Sequence, residues 1–571
     1  MPVDNKTSYL IRKFALKNAM DYGKADAGSV LGKVIPVAKG IPVPELKGIV
    51  DAEVSRVNGL RRKELESEYA PFADEFVQKA KEKAERTAKP SLVIDGAVKG
   101  KVVTRFPPEP GGYIQIGNVK QCLLSSEVSR LYNGKIYLYF DDTNPEKCRQ
   151  EYVEEIKRDT EWLGVRFDKE YYASDNIEKV YESARKLLKG GNAYVCFCTA
   201  QQIKEGRAER KGCAHLKQKP AENLAHFEEM LEGKYEEGQA VVRLRGDMRS
   251  DNATFRDPTL LRVKKTTHYR HGDKYAVWPT YHINTPVMDH LYGITDVIRG
   301  KEYEIWDDIN KKMLESLGIS PPRFHYEARL RIIGNTTAKR SIRKFMKEKL
   351  ISGWDDPRLL TVAALRRRGI QPAAIRDFVL RFGMSKTDSA VPMEMLLAGN
   401  KRIIDPVAKH LYFVPEPVRL TIKGAPKLEA RMKLRPAGRS GYREYETAGT
   451  FYISGEDASS MEIDAHARLK DLADVVITKK GDTIEAELSG DKDGRIIQWV
   501  AASNYKKCTV TVPLPIIDEN GGFIRDSLKL VSGYVESDAV KLKEREIVQF
   551  ERFGYCILDD KEKLQFIFIS K

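Results

Sequence analysis

Residues 105–118 read Arg105-Phe-Pro-Pro-Glu-Pro-Gly-Gly-Tyr-Ile-Gln-Ile-Gly-Asn118 and lie between two runs of different period. Just before them, Val102-Val103-Thr104-Arg105-Phe106 is short, apolar and β-branched, which predicts a strand. Beyond them, Val119 to about Tyr132 carries apolar residues at helical spacing, and Ile136-Tyr137-Leu138-Tyr139-Phe140 predicts a second strand. Strand, helix and strand in that order make a βαβ unit, so the expected working domain is α/β with parallel strands. A strand that passes through Pro and Gly into a helix start offers free backbone N–H groups and the positive end of a helix dipole, which suits phosphate. Glycines 111, 112 and 117 would let backbone and nucleotide approach closely. The same composition also makes an ordinary turn in many α/β proteins, so this segment alone leaves both readings open.

The chain on either side is organised around that unit. With 571 residues and 42% hydrophobic content it is too long for one core and too apolar for disorder, so three or more domains are expected. Leu10, Phe14, Ala15 and Ala19 recur at helical spacing, and 64–88 alternates charged and apolar residues at the same period, which predicts a helical extension over 1–95. The α/β domain is expected in two halves, 96–190 and 275–340, interrupted by an insertion over 191–274. Strand-like apolar runs return near 275–299 and 325–333. Residues 341–404 predict helices, with Leu359, Leu360, Leu365, Ile375, Phe378 and Val379 as buried faces. From 405 to 571 short β-branched runs such as Asp474–Thr478, Cys508–Val512 and Phe566–Ile569 predict all-β barrels.

Composition narrows the partners. Lys and Arg outnumber Asp and Glu by 97 to 82, a formal charge of +15, which favours a polyanion through counterion release, although it also serves plain solubility. No apolar run approaches the roughly 18 residues of a membrane span, and Met1-Pro2-Val3-Asp4 opens no signal-like segment, so a cytoplasmic protein without a membrane partner is expected. Seven cysteines, an odd number, argue for reduced thiols. Three of them cluster: Cys196-Phe-Cys198 and Cys213-Ala-His215 offer three thiolates and one imidazole within twenty residues, a donor set suited to a closed tetrahedral Zn²⁺ site or, failing that, to small buried hydrophobes. Cys122, Cys148, Cys508 and Cys556 sit singly on apolar patterns and are expected in the core.

Five further segments join the first: Phe140-Asp-Asp-Thr-Asn-Pro145, Trp278-Pro-Thr-Tyr281, Gly293-Ile-Thr-Asp-Val-Ile-Arg-Gly-Lys-Glu302, Gly353-Trp-Asp-Asp-Pro-Arg358 and Leu365-Arg-Arg-Arg-Gly369. Together they resemble the class I aminoacyl-tRNA synthetases of the glutamyl/glutaminyl family, in its archaeal glutamyl form, over nearly the whole chain. The family's first signature reads close to RFPPEPNGYLHIGH. The resemblance implies a Rossmann-like catalytic domain, a helical stem-contact region, anticodon-binding barrels and an acceptor-binding insertion with a zinc element. It also implies activation of glutamate with ATP and Mg²⁺, and its transfer to the 3′ end of tRNA(Glu), with tRNA(Gln) as a second acceptor, by a monomer.

Residue by residue, the resemblance places Gln115 and Asn118 where the HIGH motif has histidines, and Gly117 beside them at the nucleotide. Both side chains keep an amide donor, but neither can carry the charge of an imidazolium. Thr336-Thr337-Ala338-Lys339-Arg340 stands where the glutaminyl KMSKS loop reads VMSKR, so Lys339 and Arg340 are kept while the Met and Ser are not. Met384-Ser385-Lys386 spells part of that motif in a region expected to be helical and is read as structural. Asp141 matches the aspartate that takes the substrate ammonium, and Arg105 and Tyr281 match residues lining its side-chain pocket. Arg299 would favour glutamate, because a buried carboxylate needs a fixed cation, although a scaffold role is also open to it. Tyr139 and His282 depart from the family pattern, which has arginine and aspartate there. Arg366, Arg367 and Arg368 are candidates for RNA backbone contact, but three adjacent side chains cannot share one helix face, so at least one is expected in a salt bridge. Two alternatives remain: a tRNA-binding paralogue without catalysis, and glutaminyl specificity.

Overall fold

The computed structural model describes residues 5–571 except 36–37, 39–40, 63, 73–74, 76–91, 436–440 and 492. It divides into two compact units, Met1–Ala88 and Lys89–Lys571. In the first, helices Asn5–Tyr22, Ala27–Val34 and Val43–Asn58 bury one stripe each: Ile11, Ala15, Leu16 and Ala19 meet Val30, Val34, Leu46, Val50 and Val54. Asp26 caps the second helix by accepting from Ser29 N at 2.8 Å. Residues 64–72 are helical as expected; most of the remainder of the 64–88 pattern, with Pro90, lies outside the described residues. Residues 92–95 are not helical.

In the second unit, Val103–Phe106 pairs in parallel with Lys135–Phe140, which pairs in parallel with Lys169–Tyr172. Asp296–Gly300 pairs in parallel with Arg323–Glu327. Thr295 N donates to Val103 O at 3.0 Å, which sets the starts of Asp296–Gly300 and Val103–Phe106 side by side. Chain order therefore reverses between these two strands, the place where open α/β sheets bind ligands at the carboxyl ends. Helix Ile116–Leu131 crosses over from the first strand, and Ile116, Val119 and Leu123 pack with Phe106, Ile136, Leu138 and Phe140.

An antiparallel sheet in the order Ala193–Cys196, Val241–Leu244, Thr259–Val263, Val277–Pro279 forms the insertion. Helix Tyr281–Leu291 follows it at once, where the apolar run had predicted strand: Ile283, Val287 and Met288 are buried at helical spacing, and Pro286 lies inside the helix. Residues beyond 340 supply helices Val362–Arg367, Pro372–Leu380 and Met393–Ile404, together with a short strand Ser389–Val391. Met384, Ser385 and Lys386 lie in the turn before that strand, not in a helix; Ser385 O accepts from Ala328 N at 2.8 Å and Lys386 pairs with Glu304 at 2.8 Å. The C-terminal part holds two seven-stranded sheets. One runs from Lys409–Leu411 through Gln565–Ser570 to Phe413–Pro415, and the other from Arg495–Ile497 through Thr483–Leu488 to Val500–Ala501. Cys122, Cys148, Cys508 and Cys556 are buried. Among the described residues no helix is long and apolar enough to cross a membrane.

Candidate functional site

At the carboxyl ends of the two side-by-side strands lies a cavity of about 480 Å³ lined by Arg105, Glu109, Asn118, Asp141, Tyr281, Arg299 and Lys339. Arg105 and Arg299 arrive from adjoining strands, Asp141 follows Phe140 at the end of its strand, and Tyr281 opens its helix. A second cavity of about 460 Å³, lined by Gln115, Gly117, Asn118, Gln121, Glu327, Thr337 and Ala338, adjoins it through Asn118 and Gln121. Of the residues that the resemblance assigns to activation, Arg105, Gln115, Gly117, Asn118, Asp141, Tyr281, Arg299 and Lys339 line one or both of these adjoining cavities, whereas Arg340 is exposed and lines neither.

Burial decides the electrostatics. Asp141 accepts from Asn284 Nδ2 at 2.7 Å and Thr143 Oγ1 at 3.0 Å, yet loss of solvent, reinforced by Glu109 and Asp142, raises its carboxyl to a pKa of about 7. Arg105 is 1% exposed; its Nε and Nη2 donate to Asp289 at 3.1 and 3.4 Å, leaving Nη1 buried without a partner. Arg299 is 2% exposed, lies over the Phe324 ring at 4.0 Å, pairs with Asp307 through Nη2 and keeps Nε without a partner. Buried N–H groups of this kind await an acceptor, and a carboxylate is the acceptor that fits two arginines.

At the other end, Gln115 is the extended residue that caps Ile116–Leu131, and its N–H donates to Asn118 Oδ1 at 3.2 Å. The Asn118 oxygen is therefore occupied in capping, which leaves its NH₂ as the free donor. Lys339 heads helix Lys339–Lys347 and reaches the Pro/Gly loop, Nζ lying 3.4 Å from Glu109 O. Burial, together with Arg343, holds the Lys339 ammonium below the usual lysine range, against the pull of Glu109.

Several residues in or beside the first cavity escaped the sequence reading. Arg262, with its Nε buried and unpartnered, comes from strand Thr259–Val263 opposite Trp278; Asn284 lies three residues after Tyr281, hence on the same helix face; Tyr303 and Trp306 pack on Tyr281 at 5.4 and 4.9 Å. The position of Asn284 would have followed from a helix at Tyr281–Leu291, which read instead as strand, whereas Arg262, Tyr303 and Trp306 carry no local signal. Tyr139 donates to Asp289 at 3.3 Å, and burial lowers the His282 imidazole to about 4. Arg366, Arg367 and Arg368 are not a free row: Arg366 pairs with Glu155 and Asp159 at 2.7 and 3.2 Å, Arg367 with Asp559 and Asp355 at 2.8 and 3.2 Å, and Arg368 is buried with Nη2 on Ile569 O. Two of the three are in salt bridges, where at least one had been expected: Arg366 with helix Gln150–Trp162 and Arg367 with strand Gly554–Asp560, while Arg368 is buried against strand Gln565–Ser570.

The ligand atoms of Cys196, Cys198, Cys213 and His215 lie within 4.8 Å of one another. Cys196 Sγ and Cys213 Sγ are 3.8 Å apart, and Cys198 Sγ and His215 Nδ1 are 3.6 Å apart. A tetrahedron with Zn–S of roughly 2.3 Å and Zn–N of about 2.0–2.1 Å has edges of about 3.8 and 3.5 Å, so the donors fit such an ion. In the C-terminal part, His410, Arg431, Arg443, Lys470, Gln549 and Arg552 line a basic cleft of about 550 Å³ beside the antiparallel pair Leu428–Lys433 and Tyr442–Thr447, where Arg443 Nη2 and Gln549 Oε1 are buried without partners.

Comparison with known proteins agrees with this geometry. Residues 101–405 match the model for "tRNA synthetases class I (E and Q), catalytic domain", and 408–491 and 496–559 match two models for the anticodon-binding domain of the same group. A glutamate–tRNA ligase of Nitrosopumilus maritimus is 37% identical over 99% of this chain and 100% of its own length, and one of Pyrococcus furiosus is 37% identical over 97% of each. A solved glutamate-tRNA synthetase from Elizabethkingia anophelis is 21% identical, covering 53% of this chain and 70% of its own, with a TM-score of 0.40. The extended relatives, the matched catalytic domain and the convergence of its motifs on one cavity give one answer: the chain belongs to the glutamyl/glutaminyl family of class I aminoacyl-tRNA synthetases.

Proposed function

We propose that this protein is a glutamate–tRNA ligase: it joins glutamate to ATP as glutamyl-adenylate and passes the glutamyl group to the 3′ end of tRNA(Glu), with tRNA(Gln) as a further acceptor. The observation that carries the reading is the meeting of Asp141, Arg105, Arg299 and Lys339 in one cavity. Asp141, once ionised, takes the substrate ammonium, and Asn284 and Thr143 hold it in place. The unpartnered N–H groups of Arg105 and Arg299 donate to the side-chain carboxylate beside Tyr281, and a neutral glutamine amide would satisfy them less well. The α-carboxylate then attacks the α-phosphorus of ATP in line, and pyrophosphate leaves toward Lys339 at the neighbouring loop.

Gln115, Gly117 and Asn118 serve the nucleotide at the helix start, the Asn118 NH₂ standing in for an imidazole of the HIGH motif, while Lys339 is the retained lysine of the KMSKS loop and Arg340 acts from the exposed side of that loop. Mg²⁺ enters with ATP and offsets charge on its phosphates. Cys196, Cys198, Cys213 and His215 would hold a structural Zn²⁺ that ties the insertion together. The two C-terminal sheets act as anticodon-binding barrels, and the basic cleft takes an unstacked base, as RNA readout requires. Domain limits near 95, 190, 274, 340 and 404 follow from these roles, in a cytoplasmic monomer.

Charging of total tRNA with labelled glutamate and glutamine in parallel, with Lys339→Ala as control, tests the reading. Glutamate incorporation that the control loses supports it; tight tRNA binding without charging of either amino acid overturns it in favour of a non-catalytic paralogue.

A further inference from the structure

The two arginines of the amino-acid cavity are held in the same way. Arg105 is tied to Asp289, whose Oδ1 also accepts from Tyr139 Oη at 3.3 Å. Arg299 is tied to Asp307 Oδ1, and Asp307 Oδ2 accepts from Tyr326 Oη. In each case one carboxylate engages part of a guanidinium and a tyrosine hydroxyl together. In each case one guanidinium N–H, Arg105 Nη1 or Arg299 Nε, stays buried and unpartnered. Because the guanidinium is a rigid planar fork, fixing one part of it fixes the direction of the rest.

Asp289 is buried, so its pair also belongs to the core. Asp307 is different. Its side chain is 39% exposed while that of Arg299 is 3% exposed, and it heads helix Asp307–Leu317, where the helix dipole favours a carboxylate without help from arginine. The pair gives the buried Arg299 guanidinium a counterion, but that alone would need no tyrosine on the same carboxylate. What the tyrosine adds is orientation: Arg299, stacked on Phe324, has its rotation about that ring set by Asp307 and Tyr326.

We propose that Asp307, with Tyr326, is a positioning residue that sets substrate specificity: it locks Arg299 so that its remaining N–H groups meet the side-chain carboxylate of glutamate. This rests on glutamate being the substrate.

Glutamate dependence of charging at saturating ATP and tRNA would be compared for the wild type, Asp307→Ala, Asp307→Glu and Tyr326→Phe, with glutamate binding followed by calorimetry. The expected result is a rise of about tenfold or more in KM and Kd for glutamate in Asp307→Ala, as for misplacement of a substrate-fixing group by a fraction of an ångström. The kcat and the KM for ATP stay unchanged, Asp307→Glu recovers part of the loss, and Tyr326→Phe falls between. An unchanged or lowered KM for glutamate overturns the proposal, as does a parallel loss in kcat and ATP affinity, which would mark a merely structural pair. A wild type that neither binds nor charges glutamate overturns the parent reading with it, whereas an active wild type with an equally good Asp307→Ala overturns this proposal alone.

Discussion

Trp354 occupies the space that a side chain on Gly112 would need. A Cβ built on Gly112 would lie 3.0 Å from the indole Cη2 and 3.4 Å from Lys339 Cδ, and Gly112 has φ +140°. The same indole stacks on Tyr113 with ring centroids 5.7 Å apart and planes within 8°. The Pro/Gly loop is thus pressed between a tryptophan from the Gly353–Arg358 segment and the lysine of the KMSKS-like loop. Gly112→Ala is expected to cost about 1–3 kcal/mol in stability through strain and to raise the KM for ATP. Adding Trp354→Leu should recover much of the ATP affinity; if the double variant is no better than the single, steric pressure from Trp354 is not the cause.

Among the described residues Lys339 is the one ammonium lining the amino-acid cavity. Replacing it with alanine should lower kcat for adenylate formation by on the order of 10²–10³, the usual cost of a preorganised donor at developing charge. Dissociation of tRNA, measured by filter binding, should stay as in the wild type. Equal loss of binding and catalysis would show that the substitution damages the fold instead.

The Asp141 carboxyl, raised to about 7 by burial and by Glu109 and Asp142, predicts a pH dependence with two signs. The folded protein holds this proton more tightly than the unfolded chain, whose carboxyl keeps its ordinary value near 4. Stability of the ligand-free protein should therefore fall as pH rises from about 4 to about 7 and level off above that. Glutamate affinity should move the other way, because only the ionised form pairs with an ammonium. The logarithm of kcat/KM for glutamate should rise with unit slope up to about pH 7 and then flatten. Asp141→Asn should flatten the stability trend and abolish glutamate use; an unaltered stability profile would remove Asp141 as its origin.

Zinc should be found at about one ion per chain by elemental analysis of protein purified without chelator. Cys213→Ser, or prolonged chelation, should lower the melting temperature and increase proteolysis within 191–274. A metal-free protein with the same melting temperature would leave the three cysteines as ordinary apolar side chains.

How far the sequence could be read follows from the range of the forces involved. The βαβ unit was legible because strand and helix periods are local, and the residues 105–118 between them leave few conformations open. Arg105, Asp141, Tyr281 and Arg299 were singled out by the resemblance of their motifs to the family, because no local pattern marks a pocket residue. Helix Tyr281–Leu291 was misread because β-branched residues and Pro286 favour extended chain locally, and burial of Ile283, Val287 and Met288 overrides that preference. Arg366 and Arg367 were only half legible, since Glu155, Asp159 and Asp559 lie about 200 residues away in sequence in each case. Asp289 and Asp307 were invisible for the same reason: nothing local marks an aspartate that will stand behind a distant arginine.

The insertion sheet carries one more implication. Its first strand ends in Cys196 and its last is Val277–Pro279, one residue short of the Thr280-Tyr281 edge of the amino-acid cavity. Three strand spacings separate the two edges, a lever arm of roughly 14 Å at about 4.8 Å per strand. A tilt of only about 4° at the cysteine edge would displace the tyrosine edge by about 1 Å, enough in an oriented reaction to cost roughly a hundredfold in rate. Whatever clamps Cys196, Cys198, Cys213 and His215 therefore acts as a mechanical stop, and the tolerance to which the far end of the sheet is machined is set at the near end.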